Sequence, residues 1–362
     1  MGSSILHFIF RGMKGGGGGG ARMMSTTTTT IATEPWKLSS PWLMLRPSSE
    51  AYKLYSLAEN KVVSIKKEAP PPPWAQGRVV HVGSSHGWVA SFNRDNQQTF
   101  LSDPITGRHI KLPDTTTLSE SPSRRIWPHH ILLSSSPSDR DCHAIMSYGR
   151  IAICSPGHAT TNWLPAFGHG SYYELAYFAR QNRLFCLANY PDSSSDLVLD
   201  CWDLESPTFV WKVPLSSLSD DDDNDDDEED KDTDNEMRCG YPKYLVMDES
   251  SCRLFLVIRY VLHEVGRDGS FVKSTCLKCG RGDYSYPHKT VSFEVYEIDG
   301  KDGKMRYMDG SLDGLAIFVG SNHSFALPAA DLNLRPDSIY SPEMVKMVSM
   351  IAPAMWFTPI PH

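Results

Sequence analysis

Three apolar–proline pairs, Leu112-Pro113, Leu164-Pro165 and Val213-Pro214, recur 52 and 49 residues apart. Each closes a block of short strand-like runs, and that spacing limits what the chain can fold into more than any other feature. The runs include Lys61 to Ile65, Gly77 to Val82, Trp88 to Phe92, Ile151 to Cys154, Leu184 to Ala188 and Leu197 to Trp202. Tyr244 to Met247, Leu254 to Tyr260, Phe293 to Ile298 and Leu315 to Val319 continue the series. They are rich in β-branched and aromatic residues, and Gly, Pro, Asn, Asp and Ser clusters bound them. Asp-Gly pairs at 268–269, 299–300, 302–303, 309–310 and 313–314 suit the positive backbone angles of hairpin turns. No capped 3.6-residue pattern persists beyond about three turns. Glu174 to Arg180 and Pro342 to Met350 are the best helical candidates. The class is all-β.

A period near 50 residues, with several strands in each, is that of a β-propeller blade. Leu327-Pro328 closes a later block, after two acid- or Gly-rich insertions. A body of about 300 residues at roughly 50 per blade gives about six blades, with seven as the alternative. A two-sheet sandwich is the competing architecture.

Charge is distributed unevenly. The 362 residues carry a net −8, but thirteen acids and one lysine lie between Asp220 and Glu236, a local −12. Residues 1–40 carry +3 and the remainder +1, so the body is nearly neutral. Its charge gives no broad nucleic-acid footprint. Like charges this dense repel, so an extended acidic insertion over 219–237 is expected between two strands. Ser217 and Ser219 have acids three residues on, a pattern acidophilic kinases favour. No run of about 18 apolar residues marks a spanning helix.

Residues 1–40 hold homopolymers of Gly (15–20) and Thr (26–30), with Arg11, Lys14, Arg22 and Lys37 against the single acid Glu34. Such tracts bury too little apolar surface to offset the entropy of ordering them, which predicts a disordered leader. Basic, hydroxyl-rich, acid-poor composition fits a transit peptide, with the mitochondrion or another organelle as destination. Cytoplasm or nucleus is the alternative, with a repeat-expanded tail and initiation at Met23 or Met24. The eight cysteines, mostly in apolar runs such as Leu184-Phe185-Cys186-Leu187, read as reduced packed thiols.

Particular residues then carry more than periodicity does. Pro41-Trp42-Leu43-Met44-Leu45 precedes Tyr52-Lys53-Leu54-Tyr55-Ser56-Leu57. Gly83-Ser84-Ser85-His86-Gly87-Trp88 and Leu101-Ser102-Asp103-Pro104-Ile105-Thr106-Gly107 follow. Tyr307-Met308-Asp309-Gly310-Ser311-Leu312-Asp313-Gly314 leads to Gly320-Ser321-Asn322-His323-Ser324-Phe325 and Pro336-Asp337-Ser338-Ile339-Tyr340. Together these resemble the plant F-box-associated family called domain of unknown function 295, the KIB-type β-propeller. The likeness covers residues 41–341 and makes 342–362 a C-terminal tail. It implies a propeller and, in many relatives, a preceding F-box that docks onto a ubiquitin ligase. Only the low-complexity segment precedes Pro41 here, without the amphipathic helices of an F-box. The chain thus looks more like the branch that lacks an F-box, and a Skp-type adaptor is not expected as partner.

Motifs with chemical connotations have plainer readings. Gly83-Ser84-Ser85-His86-Gly87 matches the hydrolase elbow G-x-S-x-G, but Trp88 to Phe92 behind it reads as a strand where the elbow needs a helix. A tight turn is expected instead, with Trp88 filling core between blades. Cys276-Leu277-Lys278-Cys279 is half of a zinc knuckle, with His288, Cys239 and Cys252 elsewhere, and no second close pair completes it. Arg281-Gly282-Asp283 and Asn322-His323-Ser324 need an exported chain to matter, and the hexaglycine tract lacks the strand and the Lys-Ser/Thr of a phosphate loop. The reading is a non-enzymatic protein-interaction propeller with no catalytic, cofactor or metal residue and an unidentified protein partner. The alternatives are a ubiquitin-ligase substrate receptor and a hydrolase using Ser85.

Overall fold

The computed structural model describes residues 41–357 apart from 46–50, 58–60, 67–69, 119–125, 158–161, 166–169, 191–197, 205–207, 215–241, 264–287, 300–302, 321–322, 333 and 342–354. The leader, the acidic insertion with Ser217 and Ser219, Cys239, the Cys276/Cys279 pair, Arg281-Gly282-Asp283, Asn322 and the helical candidate Pro342 to Met350 lie outside the described residues.

Six β-sheet units follow one another along the chain. Blade 1 holds β1 (Trp42–Leu45), β2 (Ala51–Ser56) and β3 (Lys61–Lys66). Blade 2 holds β4 (Val79–Ser85), β5 (Trp88–Asn93), β6 (Gln98–Ser102) and β7 (His109–Asp114). Blade 3 holds β8 (His130–Leu133), β9 (Ala144–Ser147), β10 (Ile151–Cys154) and β11 (Leu164–Pro165). Blade 4 holds β12 (Ser171–Phe178), β13 (Arg183–Asn189), β14 (Val198–Asp203) and β15 (Thr208–Pro214). Blade 5 holds β16 (Lys243–Asp248), β17 (Arg253–His263), β18 (His288–Ile298) and β19 (Met305–Tyr307). Blade 6 holds β20 (Leu315–Phe318), β21 (Phe325–Pro328) and β22 (Ser338–Tyr340).

The ring closes through the two ends of the described chain. A last strand, β23 (Met355–Phe357), pairs antiparallel with β1, so Trp42 opposes Phe357. This strand comes from the stretch read as a tail. The sixth blade departs from the others: β22 runs parallel to β20, and Phe325 of β21 bridges to Met247 of β16. Blades 5 and 6 are thereby joined into one seven-stranded sheet.

Six apolar clusters fill the six junctions between blades. Along β16, Leu245 and Met247 pack toward blade 4 while Tyr244 and Val246 pack toward blade 6. Successive side chains of a strand point to opposite faces, and here both faces meet another sheet. That is why Leu254 to Ile258 reads as an unbroken apolar run, with all five residues buried. Blade 6 packs on blade 1 through Leu43, Tyr55, Ala316 and Phe318, which closes the circle of cores.

Two expectations change in detail. Glu174 to Arg180 is not helical: β12 runs through Phe178, and a short 3-10 turn follows at Ala179–Gln181. Glu174, Leu175, Ala176 and Phe178 are all buried, so this strand shows no period-2 alternation in its sequence. The proline period marks the outermost strands of blades 2, 3 and 4, because Pro113, Pro165 and Pro214 lie in β7, β11 and β15. Proline lacks the N–H a central strand must donate, so an edge strand tolerates it. Leu327-Pro328 falls instead in β21, beside the inner strand β16.

Candidate interaction face

The first strands of blades 2 to 5 stand side by side around the axis, and their starting ends define one face of the ring. Register places both long insertions there. Pro214, where the chain leaves blade 4, pairs with Val198, which pairs with Ala188 opposite Tyr172 near the start of β12. Lys243 begins β16 and pairs with Ile258, beyond which β17 continues to His263 opposite His288. Glu174 accepts the N–H of Leu245, so β12 and β16 start level with one another. The chain therefore leaves and re-enters this face twice within two adjacent blades.

The same face presents an aromatic and cationic patch at the junction of blades 2 and 3. Trp127, three residues before β8, is 44% exposed. The guanidinium of Arg94 lies 5.3 Å from its ring centroid, and buried Phe92 meets it edge-on at 5.6 Å. Arg94 belongs to the turn after β5, beside Arg78, whose Nε lies 2.6 Å from Asp95. Exposed Arg150, in the turn after β9, shares this face because Ser147 pairs with His130 at the start of β8. Trp and Arg are the side chains that most often dominate protein interfaces. Sequence reading passed over this patch, although Arg124-Arg125-Ile126-Trp127 was a visible basic and aromatic signal.

Beside it, Asp200 is wholly buried and accepts hydrogen bonds from the phenols of Tyr172, at 3.0 Å, and Tyr190. Burial pushes its carboxyl up, and the two phenols with the Lys212 ammonium only partly counter that. The Lys212 amine caps the Tyr190 ring at 3.7 Å.

Facing the axis are polar groups with little solvent. Burial drives the His130 imidazole down to about 4 and leaves its Nε2 without a hydrogen-bond partner. His323, partly open at its surface, is depressed to about 3 by desolvation and by the nearby His130 and His86. Burial also raises Glu174 well above the ordinary carboxyl range.

Ser85 lies on the opposite face, at the end of β4. His86 (φ 49°) and Gly87 (φ 75°) turn the chain directly into β5, so the segment is strand–turn–strand. The Ser85 hydroxyl is buried and accepts the Leu133 N–H at 3.0 Å, tying β4 to β8. Trp88 is 3% exposed and packs between blades 2 and 3, as the turn reading expects. A side chain at Gly83 would meet the Ile131 carbonyl oxygen at 1.9 Å, so this glycine permits the close approach of β4 to β8.

That face also bears a shallow cavity of about 190 Å³ lined by Phe178, Ala179, Arg180, Glu249 and Ser250. Arg180 donates to the exposed Cys252 sulfur at 3.3 Å. Cys142, Cys154, Cys186 and Cys201 are buried free thiols, which apolar context predicts for the last three, whereas Cys142 follows Asp139-Arg140-Asp141. Among the described residues no group of three or more His, Cys, Asp or Glu side chains is arranged to hold a metal ion. Among them no helix is long and apolar enough to cross a membrane.

The family motif near the C-terminus is a contact within the fold. Asp337 Oδ1 accepts from the N–H of Leu312 at 2.6 Å, the N–H of Gly314 at 3.1 Å and the Ser311 hydroxyl at 3.1 Å. It thereby fixes the Asp313-Gly314 turn, where both residues have positive φ (56° and 77°).

A family model described as KIB1-4 beta-propeller matches residues 54–351. No curated protein matches the sequence. Among solved structures, the Cps50 (Swd1) β-propeller domain of Myceliophteria thermophila aligns at 9% identity, covering 78% of this chain and 88% of that one, with a TM-score of 0.34. A chain of a Nidogen/Laminin complex aligns at 12% identity over 75% of this chain and 89% of its own, with a TM-score of 0.37. A functionally unknown protein from Desulfotomaculum acetoxidans aligns at 12% identity over 72% and 64%, with a TM-score of 0.34. These likenesses are too distant to bear on function.

Proposed function

The chain belongs to the KIB1-4 β-propeller family, and from that premise we propose that it is a protein-interaction scaffold whose working surface is the face where the first strands begin. One observation carries this reading: two long insertions and the exposed Arg94–Trp127 patch share that face. Propellers offer a rigid ring on which loops can vary without cost to the core, and function concentrates in such loops. The chemistry expected of a hydrolase at Ser85 lacks its supporting helix, which favours binding over catalysis. Ser85→Ala should leave any hydrolytic activity of the preparation unchanged across an ester and amide panel. A loss specific to that variant would revive the enzyme reading.

The test is affinity purification of the full chain and of a variant lacking residues 215–238, followed by mass spectrometry. A reproducible partner, lost or weakened in Trp127→Ala, supports the assignment of the face. Recovery of a Skp-type adaptor in stoichiometric amount would favour the ubiquitin-ligase reading instead. We read residues 1–40 as an organellar leader, mitochondrial in the first instance, on their basic, acid-poor composition. A reporter fused to these residues should enter an organelle, and a diffuse cytosolic signal would refute that.

A further inference from the structure

We infer that the Arg94–Trp127 patch is a docking site for this chain's own acidic run, Asp220 to Glu236. The inference rests on the interaction-face reading above and assigns a regulator to that face. Charge is the first argument. Arg94 and the exposed Arg150 lie at the starting ends of blades 2 and 3, and Arg124-Arg125 stands just before Ile126-Trp127 in sequence. Asp95, the acid in the Arg94 turn, is already paired with Arg78. The acidic run brings thirteen carboxylates against one lysine. Arginine forks suit carboxylates geometrically, and Trp127 adds a flat apolar surface held rigid by Phe92 beneath it.

Placement is the second argument. The run is bounded by Pro214 and Lys243, both on this same face, with 28 residues between them. At about 3.3 Å per residue a stretch of that length reaches about 45 Å out and back. A domain of about 300 residues is roughly 50 Å across, so the junction of blades 2 and 3 is within reach. Tethering also raises the local concentration of the segment to the millimolar range, where many weak, screened ion pairs suffice for occupancy. A partner using the patch must then displace the run, and its binding becomes dependent on salt and on the state of that segment.

The test replaces residues 219–237 with a Gly-Ser linker and titrates the variant with a fluorescent synthetic peptide of residues 219–237. We expect binding at 50 mM salt at least tenfold tighter than to the full chain, and lost at 0.5 M. Arg94→Glu and Trp127→Ala in the linker background should each weaken the peptide tenfold or more. Arg140→Glu, a reversal of an exposed charge on the opposite face, should not. Thermal melts show that each variant is folded. No peptide binding by the linker variant, equal binding by the full chain, or equal losses from Arg94→Glu and Arg140→Glu would each overturn the proposal. So would a single-stranded oligonucleotide of equal charge that binds the linker variant more tightly than the peptide, or a full chain that dimerises through the run. Partner capture without peptide binding would sink this proposal alone; peptide binding without any partner would sink the scaffold reading alone.

Discussion

The indole N–H of Trp163 donates to the carbonyl of Pro113 at 2.8 Å, joining the outer part of blade 3 to the outermost strand of blade 2. Trp163 is 1% exposed, and the same carbonyl also accepts from the Thr99 hydroxyl at 2.8 Å. Proline cannot donate to a sheet, but its carbonyl is a full acceptor, and here two donors converge on it. Trp163→Phe keeps most of the packing and should cost about 1 kcal/mol for the lost hydrogen bond. Trp163→Ala should cost about 3–5 kcal/mol by leaving a cavity between the blades. Urea unfolding of both variants measures the difference.

Gly83→Ala should be far more damaging than an exposed glycine replacement. Its Cβ would overlap the Ile131 carbonyl oxygen, a backbone atom of the neighbouring inner strand that cannot rotate away. Soluble yield and melting temperature should fall sharply, while Gly107→Ala, with open space around its Cβ position, costs only the strain of a φ of +68°.

Asp200→Ala should destabilise through the tyrosines it leaves behind. The two phenols, 3.1 Å apart, can still bond each other, so one donor loses its acceptor inside the blade, a cost of about 1–3 kcal/mol. A double-mutant cycle with Tyr172→Phe should show strong coupling, since removing both partners is milder than removing one.

Acid should weaken the fold through His130. Its folded pKa, about 4, is depressed below the ordinary value near 6.5. The unfolded chain thus takes up a proton first as pH falls, and stability present above pH 6.5 is lost on the way down to about 4. His130→Gln should flatten that part of the stability–pH curve.

Glu174 should act in the opposite sense. Burial raises its folded pKa, so it favours the fold below the unfolded carboxyl pKa near 4.3 and disfavours it as pH rises through the folded value. Glu174→Gln keeps an acceptor for the Leu245 N–H and should raise stability at pH 7 to 8. The gain should vanish near pH 4, as chemical unfolding at the two pH values would show.

Several features were legible without coordinates. The strands Ile151–Cys154 and Trp88–Asn93 follow from their apolar and β-branched content, and the His86-Gly87 turn follows from the absence of a helix behind it. The proline period located the outer strands of three blades because edge position and proline go together. The helical reading of Glu174 to Arg180 failed because Glu174, Leu175, Ala176 and Phe178 are all buried, which removes the alternation on which strand recognition depends. The contact between Arg94 and Trp127 was not legible, because the two lie 33 positions apart and meet only when blades 2 and 3 pack.

Sequence alone determined that this chain makes short strands in a repeating unit, because alternation, turn residues and edge prolines act within a few residues of one another. It also confined the net charge to one segment and left the body nearly neutral. Tertiary structure decided the rest. The number of blades follows from six apolar junctions that must all close, and the last of them needs β1 to pair with β23 some 300 residues away. Which face carries the insertions, and which charges stand beside Trp127, depend on strand direction around that closed ring. Local propensity acts along the chain, whereas ring closure and the faces it creates are settled by contacts between segments the sequence keeps far apart.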